Sequence, residues 1–116
     1  MATTYKVITV PSVEHSSADT IYTVPGSTTA LIMSLNICNR HSADTDVDIK
    51  LTSGTTHSNP KDNADVFLAK DLVIGVGSTL EILAGQKIVL NTGDDITIQA
   101  AGDNHVDVAL SVMEIT

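Results

Sequence analysis

Cys38-Asn39-Arg40-His41 is the one stretch of the chain in which a thiol and an imidazole fall at a recognised metal-ligand spacing. Such a C-x-x-H pair is half of a structural zinc site, which needs four ligands in a tetrahedron. No second half follows, because Cys38 is the only cysteine and His15, His57 and His105 are scattered along the chain. The pair reads as a buried packing thiol, since free cysteine behaves as a small apolar group, next to a loop histidine. Asp44-x-Asp46-x-Asp48 opens like a calcium loop, in which oxygen ligands alternate along the backbone. The sixth position is Ile49 where that loop turns on glycine, and the twelfth is Thr55 where a glutamate closes the shell. Alternating carboxylates of this kind make the solvated face of a strand.

Nucleophilic catalysis requires a serine, threonine or cysteine beside a base. Hydroxyls are so common here that nearness to a histidine in sequence carries no information. The chain has no Gly-x-Ser-x-Gly, no phosphate-cradling glycine loop and no His-Glu-x-x-His. Sugar chemistry usually stacks the ring on aromatic side chains, and only Tyr5, Tyr22 and Phe67 are present. The expectation is a protein that is not an enzyme, with no catalytic, cofactor-binding or metal residues and no cofactor. Turn formation accounts for Asp94-Asp95 and Asp103-Asn104, where short polar side chains bond their own backbone.

Six lysines and arginines against fourteen aspartates and glutamates leave a net charge of −8. An acidic chain lacks the basic face that neutralises phosphates, so nucleic acid is excluded as a partner. Its single arginine and lack of tryptophan also remove the platforms that single-strand binders use. No apolar run approaches the ~18 residues of a membrane helix, and no basic segment leads into an apolar one. A soluble chain with no secretory signal and no membrane partner is expected.

The elements that must position these side chains are strands. At 116 residues with 42% hydrophobic side chains, residues 1–116 suffice for a single domain with its own core. Apolar residues alternate with polar ones almost throughout, the period of a pleated strand with one face buried. In residues 31–38 the set Leu31, Met33, Leu35 and Ile37 reads as one apolar face. Val47, Ile49 and Leu51 oppose Asp46, Asp48 and Lys50, and positions 106, 108, 110 and 112 are apolar in the same manner. Glycine-bearing turns punctuate the runs: Val24-Pro25-Gly26-Ser27 suits a type II turn with Gly26 at positive φ, and Ala84-Gly85-Gln86, Asn91-Thr92-Gly93-Asp94 and Ala101-Gly102-Asp103-Asn104 follow. Strands are expected over 4–10, 20–24, 29–39, 44–52, 65–74, 79–83, 87–91, 95–100 and 105–115. Eight or nine short strands with polar turns imply an all-β, antiparallel β-sandwich or jelly-roll-like domain. The core should include Leu35, Ile37, Val108 and Leu110. Residues 53–63 form the one long irregular loop, a length that is more often functional than structural.

The run Ile21-Tyr22-Thr23-Val24-Pro25-Gly26-Ser27-Thr28-Thr29, with Leu35-Asn36-Ile37-Cys38-Asn39 after it, resembles a group of small virion proteins of tailed bacteriophages, marine cyanophages included. The ending Val108-Ala109-Leu110-Ser111-Val112-Met113-Glu114-Ile115-Thr116, preceded by Ala84-Gly85 and Asp94-Asp95-Ile96, is similar to the same group. The resemblance spans most of the chain but consists of short elements rich in common strand residues, none of them a catalytic motif. It implies a β-sandwich or jelly-roll-like building block that either decorates the head or is attached to the tail; of these the expectation is a capsid decoration or cement protein bound in multiple copies, and the net charge of −8 places it on the outer surface of the head, away from packed DNA. Its partners would be the major capsid protein or other virion proteins and further copies of itself, after synthesis in the host cytoplasm. A tail, baseplate or fibre module is the alternative within that class, and a carbohydrate- or cell-surface-binding sandwich the alternative outside it.

Overall fold

The structure is a computed structural model that describes residues 2–11, 13, 17–53 and 65–116. Its nine strands are β1 (Thr3–Val10), β2 (Asp19–Thr23), β3 (Thr29–Asn39), β4 (Thr45–Thr52), β5 (Val66–Ile74), β6 (Thr79–Glu81), β7 (Ile88–Leu90), β8 (Asp95–Ala100) and β9 (Val106–Ile115). Each expected strand is present, because alternation over four or more residues already commits the backbone to the pleat. Residues 54–64, with nearly all of the expected 53–63 loop, lie outside the described residues, as do His15 and His57.

The strands form two antiparallel sheets. Sheet 1 runs β1-β9-β3-β6, with β7 pairing the other end of β3, and sheet 2 runs β2-β8-β4-β5. Apart from β4–β5 and β6–β7, each of which stays within one sheet, successive strands step between the sheets, so the chain wraps around itself as a jelly-roll β-sandwich. The first strand pairs with the last along the whole length of β1, Thr3 opposite Ile115 through Val10 opposite Val108. That ladder closes with reciprocal bonds between Ala2 and Thr116, at 3.1 and 2.9 Å.

The core lies between the sheets. Leu35, Ile37, Val108 and Leu110 are all buried, together with Ile32, Val47, Ile49, Ile74, Leu90, Ile96, Ile98, Val106 and Val112. Each such side chain contributes roughly 1.5–3 kcal/mol on leaving water. Leu51 packs against this cluster from its margin.

Two sequence expectations are corrected by pairing that alternation does not encode. Leu31 and Met33 do not share the core face of Leu35 and Ile37. Ile32 is opposite Val112 and Ser34 opposite Ser111, so Met33 is an extra residue, a β-bulge. The buried set therefore switches from Ala30 and Ile32 to Leu35 and Ile37, and Met33 turns to solvent. The bulge falls where β3 is paired by neither β6 nor β7. There the Leu35 amide donates to Glu81 Oε1 at 3.0 Å, and its carbonyl accepts from Ile82 N–H at 2.9 Å.

The second correction concerns Pro25-Gly26. The left-handed residue is Ser27, at φ 54°, and not Gly26. Val24 still belongs to the ladder, its amide donating to Asp94 and its carbonyl accepting from Gly93, so the chain bends one residue later than a type II turn at 24–27 requires. The other turns follow their chemistry. Ala84 and Gly85 are both left-handed, closed by Gln86 N–H on Leu83 O at 2.8 Å, the primed form that matches sheet twist. Gly102 serves space, since a Cβ there would stand 2.5 Å from the His105 ring.

Candidate functional site

The residues singled out for chemistry fall into three places. Cys38 lies on the outer face of sheet 1, half-buried, and not in the core as expected. It alternates with Ile37 and Asn39, which point inward, so its thiol lines a depression of about 360 Å³ with Thr9, Pro11, Asn36, Thr79, Asp107 and Ala109. Asn39 is buried and donates from Nδ2 to the carbonyls of Ala43 and Ile74, both at 2.9 Å, while its Oδ1 accepts from His41 N–H at 2.7 Å. It thereby ties β3 to the following loop and to the end of β5. Cys38→Ala is expected to shift stability by less than about 1 kcal/mol, as read by thermal unfolding. A larger loss would give the thiol a role beyond filling space.

His41 does meet a histidine, but it is His105, stacked at 3.6 Å between ring centroids. The His105 Nδ1 lies 2.9 Å from Thr45 Oγ1. A hydroxyl beside an imidazole is the pairing that nucleophilic catalysis uses, yet Thr45 is only 5% exposed and offers no approach to a substrate. The contact fastens β4 to the β8–β9 loop. Among the described residues no three histidine, cysteine, aspartate or glutamate side chains converge as a metal site.

The three aspartates of the calcium-like pattern diverge. Asp44 Oδ1 accepts from Val76 N–H at 3.0 Å. Asp48 accepts from Asp71 N–H at 2.7 Å and from Lys70 Nζ at 3.2 Å. The Asp71 amide foremost, with Lys70, holds the Asp48 carboxyl below its ordinary range against the opposing effect of burial. Beside it Phe67 lies between Lys50 and Lys70, their ammonium groups 5.1 and 5.2 Å from the ring centroid. Val73, opposite Asp46 on the same outer face of sheet 2, is 61% exposed.

A buried polar cluster escaped the sequence reading. Glu114 sits on the inner face of β9, bonded by Lys6 Nζ at 2.7 Å and by the Tyr22 hydroxyl. The residues come from β1, β2 and β9, and no local pattern links Tyr22 to a side chain 92 positions away. Lys6 first, and then Tyr22, hold the Glu114 carboxyl below its ordinary range, while burial raises the Tyr22 phenol far above its own.

The outer face of sheet 1 also carries apolar side chains that meet water. Tyr5 is opposite Met113, Met113 opposite Leu31, and Leu31 opposite Val89. These four form one row across the width of the sheet, on the side away from the core. Tyr5 and Val89, at its ends, are 69% and 62% exposed. Val7 and the bulged Met33 extend the exposed apolar surface beside the row. The strands were legible beforehand; their outward apolar partners were not, since a row exists only once β1, β9, β3 and β7 are placed side by side.

No known protein-family model matches the chain, and no curated protein matches it. Among solved structures it is similar to a chain from work on Bacillus endospore appendages, described as a novel family of disulfide-linked pili. The TM-score is 0.54 at 14% identity, covering 98% of this chain and 88% of that one. The likeness is one of fold. Among the described residues no helix is long and apolar enough to cross a membrane.

Proposed function

We propose that the chain is a non-enzymatic structural subunit that works in many copies, as a decoration or cement protein on the outer surface of a tailed-phage head. The observation that carries the structural reading is the solvent-facing row Tyr5, Met113, Leu31 and Val89, since contiguous apolar surface on a folded domain marks a contact site. The jelly-roll fold, held at both chain ends by the β1–β9 ladder, suits a rigid building block. The resemblance of residues 21–29, 35–39 and 108–116 to small virion proteins supports a virion building block, and the charge of −8 supports the outside of the head over its interior. Packed DNA phosphates within a filled head repel an acidic domain over about a Debye length, ~8 Å at physiological salt. Asp44 and Asp46 then face water or a basic patch of the shell. Exposed ion pairs contribute only ~0–1 kcal/mol each, so modest weakening at high salt is expected, without wholesale release.

A second reading is favoured by the fold likeness to a pilus chain: a subunit of a surface filament. Antibody labelling and limited proteolysis of intact, DNA-filled particles distinguish the two. Labelling of closed heads is the expected result. A chain reached only after the head is opened overturns the outer placement, a chain found only on isolated tails moves the assignment to a tail module, and a chain in filaments without particles selects the second reading.

A further inference from the structure

An antiparallel ladder bonds alternate residues, leaving those between with their amide and carbonyl turned the other way. The reciprocal Ala2–Thr116 bonds set the phase, so Thr4, Lys6, Ile8 and Val10 bond β9. Thr3, Tyr5, Val7 and Thr9 present their amides and carbonyls to the outer edge of β1, where no strand among the described residues pairs them.

Sheet edges are normally blunted by bulges, charges or brevity, because an open edge templates another strand. Three of the four edges here are treated that way. On β2 the register shifts between Thr20 and Tyr22. Along β5 it shifts twice, with Lys70 exposed and Asp71 left-handed at φ 51°. The remaining edge of sheet 1 is split into β6 and β7, three residues each. By contrast β1 is eight residues long and registers on β9 without a break. Its one charge, Lys6, is drawn to Glu114 on the inner side, and its outward side chains are Thr3, Tyr5, Val7 and Thr9.

We infer that two copies of this chain pair antiparallel through their β1 edges, joining two sheets into one across a two-fold axis. The inference rests on the structural-subunit reading and names the partner. Charge leaves this edge open to a second copy. Copies of a chain of charge −8 repel one another, but β1 is a long edge strand free of carboxylates, and its lysine is paired with Glu114 of its own chain. The match is also self-complementary: strands meeting about Lys6 set each Tyr5 beside the other copy's Val7, and both are about two-thirds exposed in one chain alone. The apolar row of sheet 1 then continues from one copy into the next.

Hydrogen exchange on the unmodified full chain, followed by NMR across a range of concentrations, tests the pairing. The amides of Tyr5 and Val7 should gain protection as concentration rises and a dimer appears in sedimentation, while those of Lys6 and Ile8 are protected throughout. Val7→Pro removes an amide that β9 does not use, as tolerated on an edge facing solvent. It should weaken dimerisation by at least about tenfold, since the two-fold axis makes the substitution remove two backbone bonds, one from each copy, with the unfolding midpoint close to the parent's. Tyr5 and Val7 amides that exchange freely in a dimer, or a chain that stays monomeric throughout, overturn β1 pairing. Neither result bears on the structural-subunit reading, which is decided by the particle labelling.

Discussion

Leu110→Ala is expected to destabilise the fold by about 2–5 kcal/mol. Leu110 is at the middle of β9, opposite Ile8 on one side and Leu35 on the other, and is fully buried. Strands laddered on both edges cannot slide inward to fill the space, so the change loses both the transfer free energy and the dispersion contacts around the vacated volume. Against a total stability of about 5–15 kcal/mol the loss is large. The measurement is the urea midpoint at unchanged m-value. Ser111→Ala, one residue along and facing outward, is the control and should lie within about 0.5 kcal/mol of the parent. A Leu110→Ala midpoint as close as that would show that β9 presents its other face to the core.

Glu114→Ala is expected to destabilise by about 1–3 kcal/mol, chiefly because the Tyr22 hydroxyl loses its acceptor in the interior. Lys6 is 47% exposed in its side chain, so its ion pair with Glu114 is screened and contributes the smaller share. Tyr22→Phe, which removes the donor and leaves Glu114 with Lys6, should be milder. Acid pH probes the same cluster. The folded-state carboxyl of Glu114 titrates below the ordinary 4.5, so folding gains stability from it above that value and loses it as pH falls through the lowered folded value. Asp48 is shifted in the same direction, so removing Glu114 should flatten the acid limb of stability against pH without abolishing it. At the alkaline end Tyr22 acts with the opposite sign: its raised value gives stability that is complete below about pH 10 and lost above it. Denaturant titrations from pH 2 to 5, for parent and Glu114→Gln, check the first limb. An acid limb of equal slope in both would separate Glu114 from acid unfolding.

Strand existence and facing were local properties of this chain. Val47-Asp48-Ile49-Lys50 and the even positions of 106–112 repeat every two residues, and a pleated backbone turns that repeat directly into an inner and an outer face. Turn positions were local for the same reason, with Gly93 and Gly85 supplying positive φ where the strands reverse. Tertiary structure decided everything that depends on which strands lie side by side. Leu31 and Met33 read as core because periodicity continues through them; only pairing with β9 inserts the bulge that turns both outward, which no single strand can encode. Tyr22, Glu114 and Lys6 carry no shared motif, and they meet because β1 and β9 pair while β2 packs across from them. The apolar row from Tyr5 to Val89 and the unblunted edge of β1 arise in the same way. Alternation specifies which side of a strand is apolar, but whether that side or edge is covered depends on neighbours far away in sequence, and only the assembled sheets supply them.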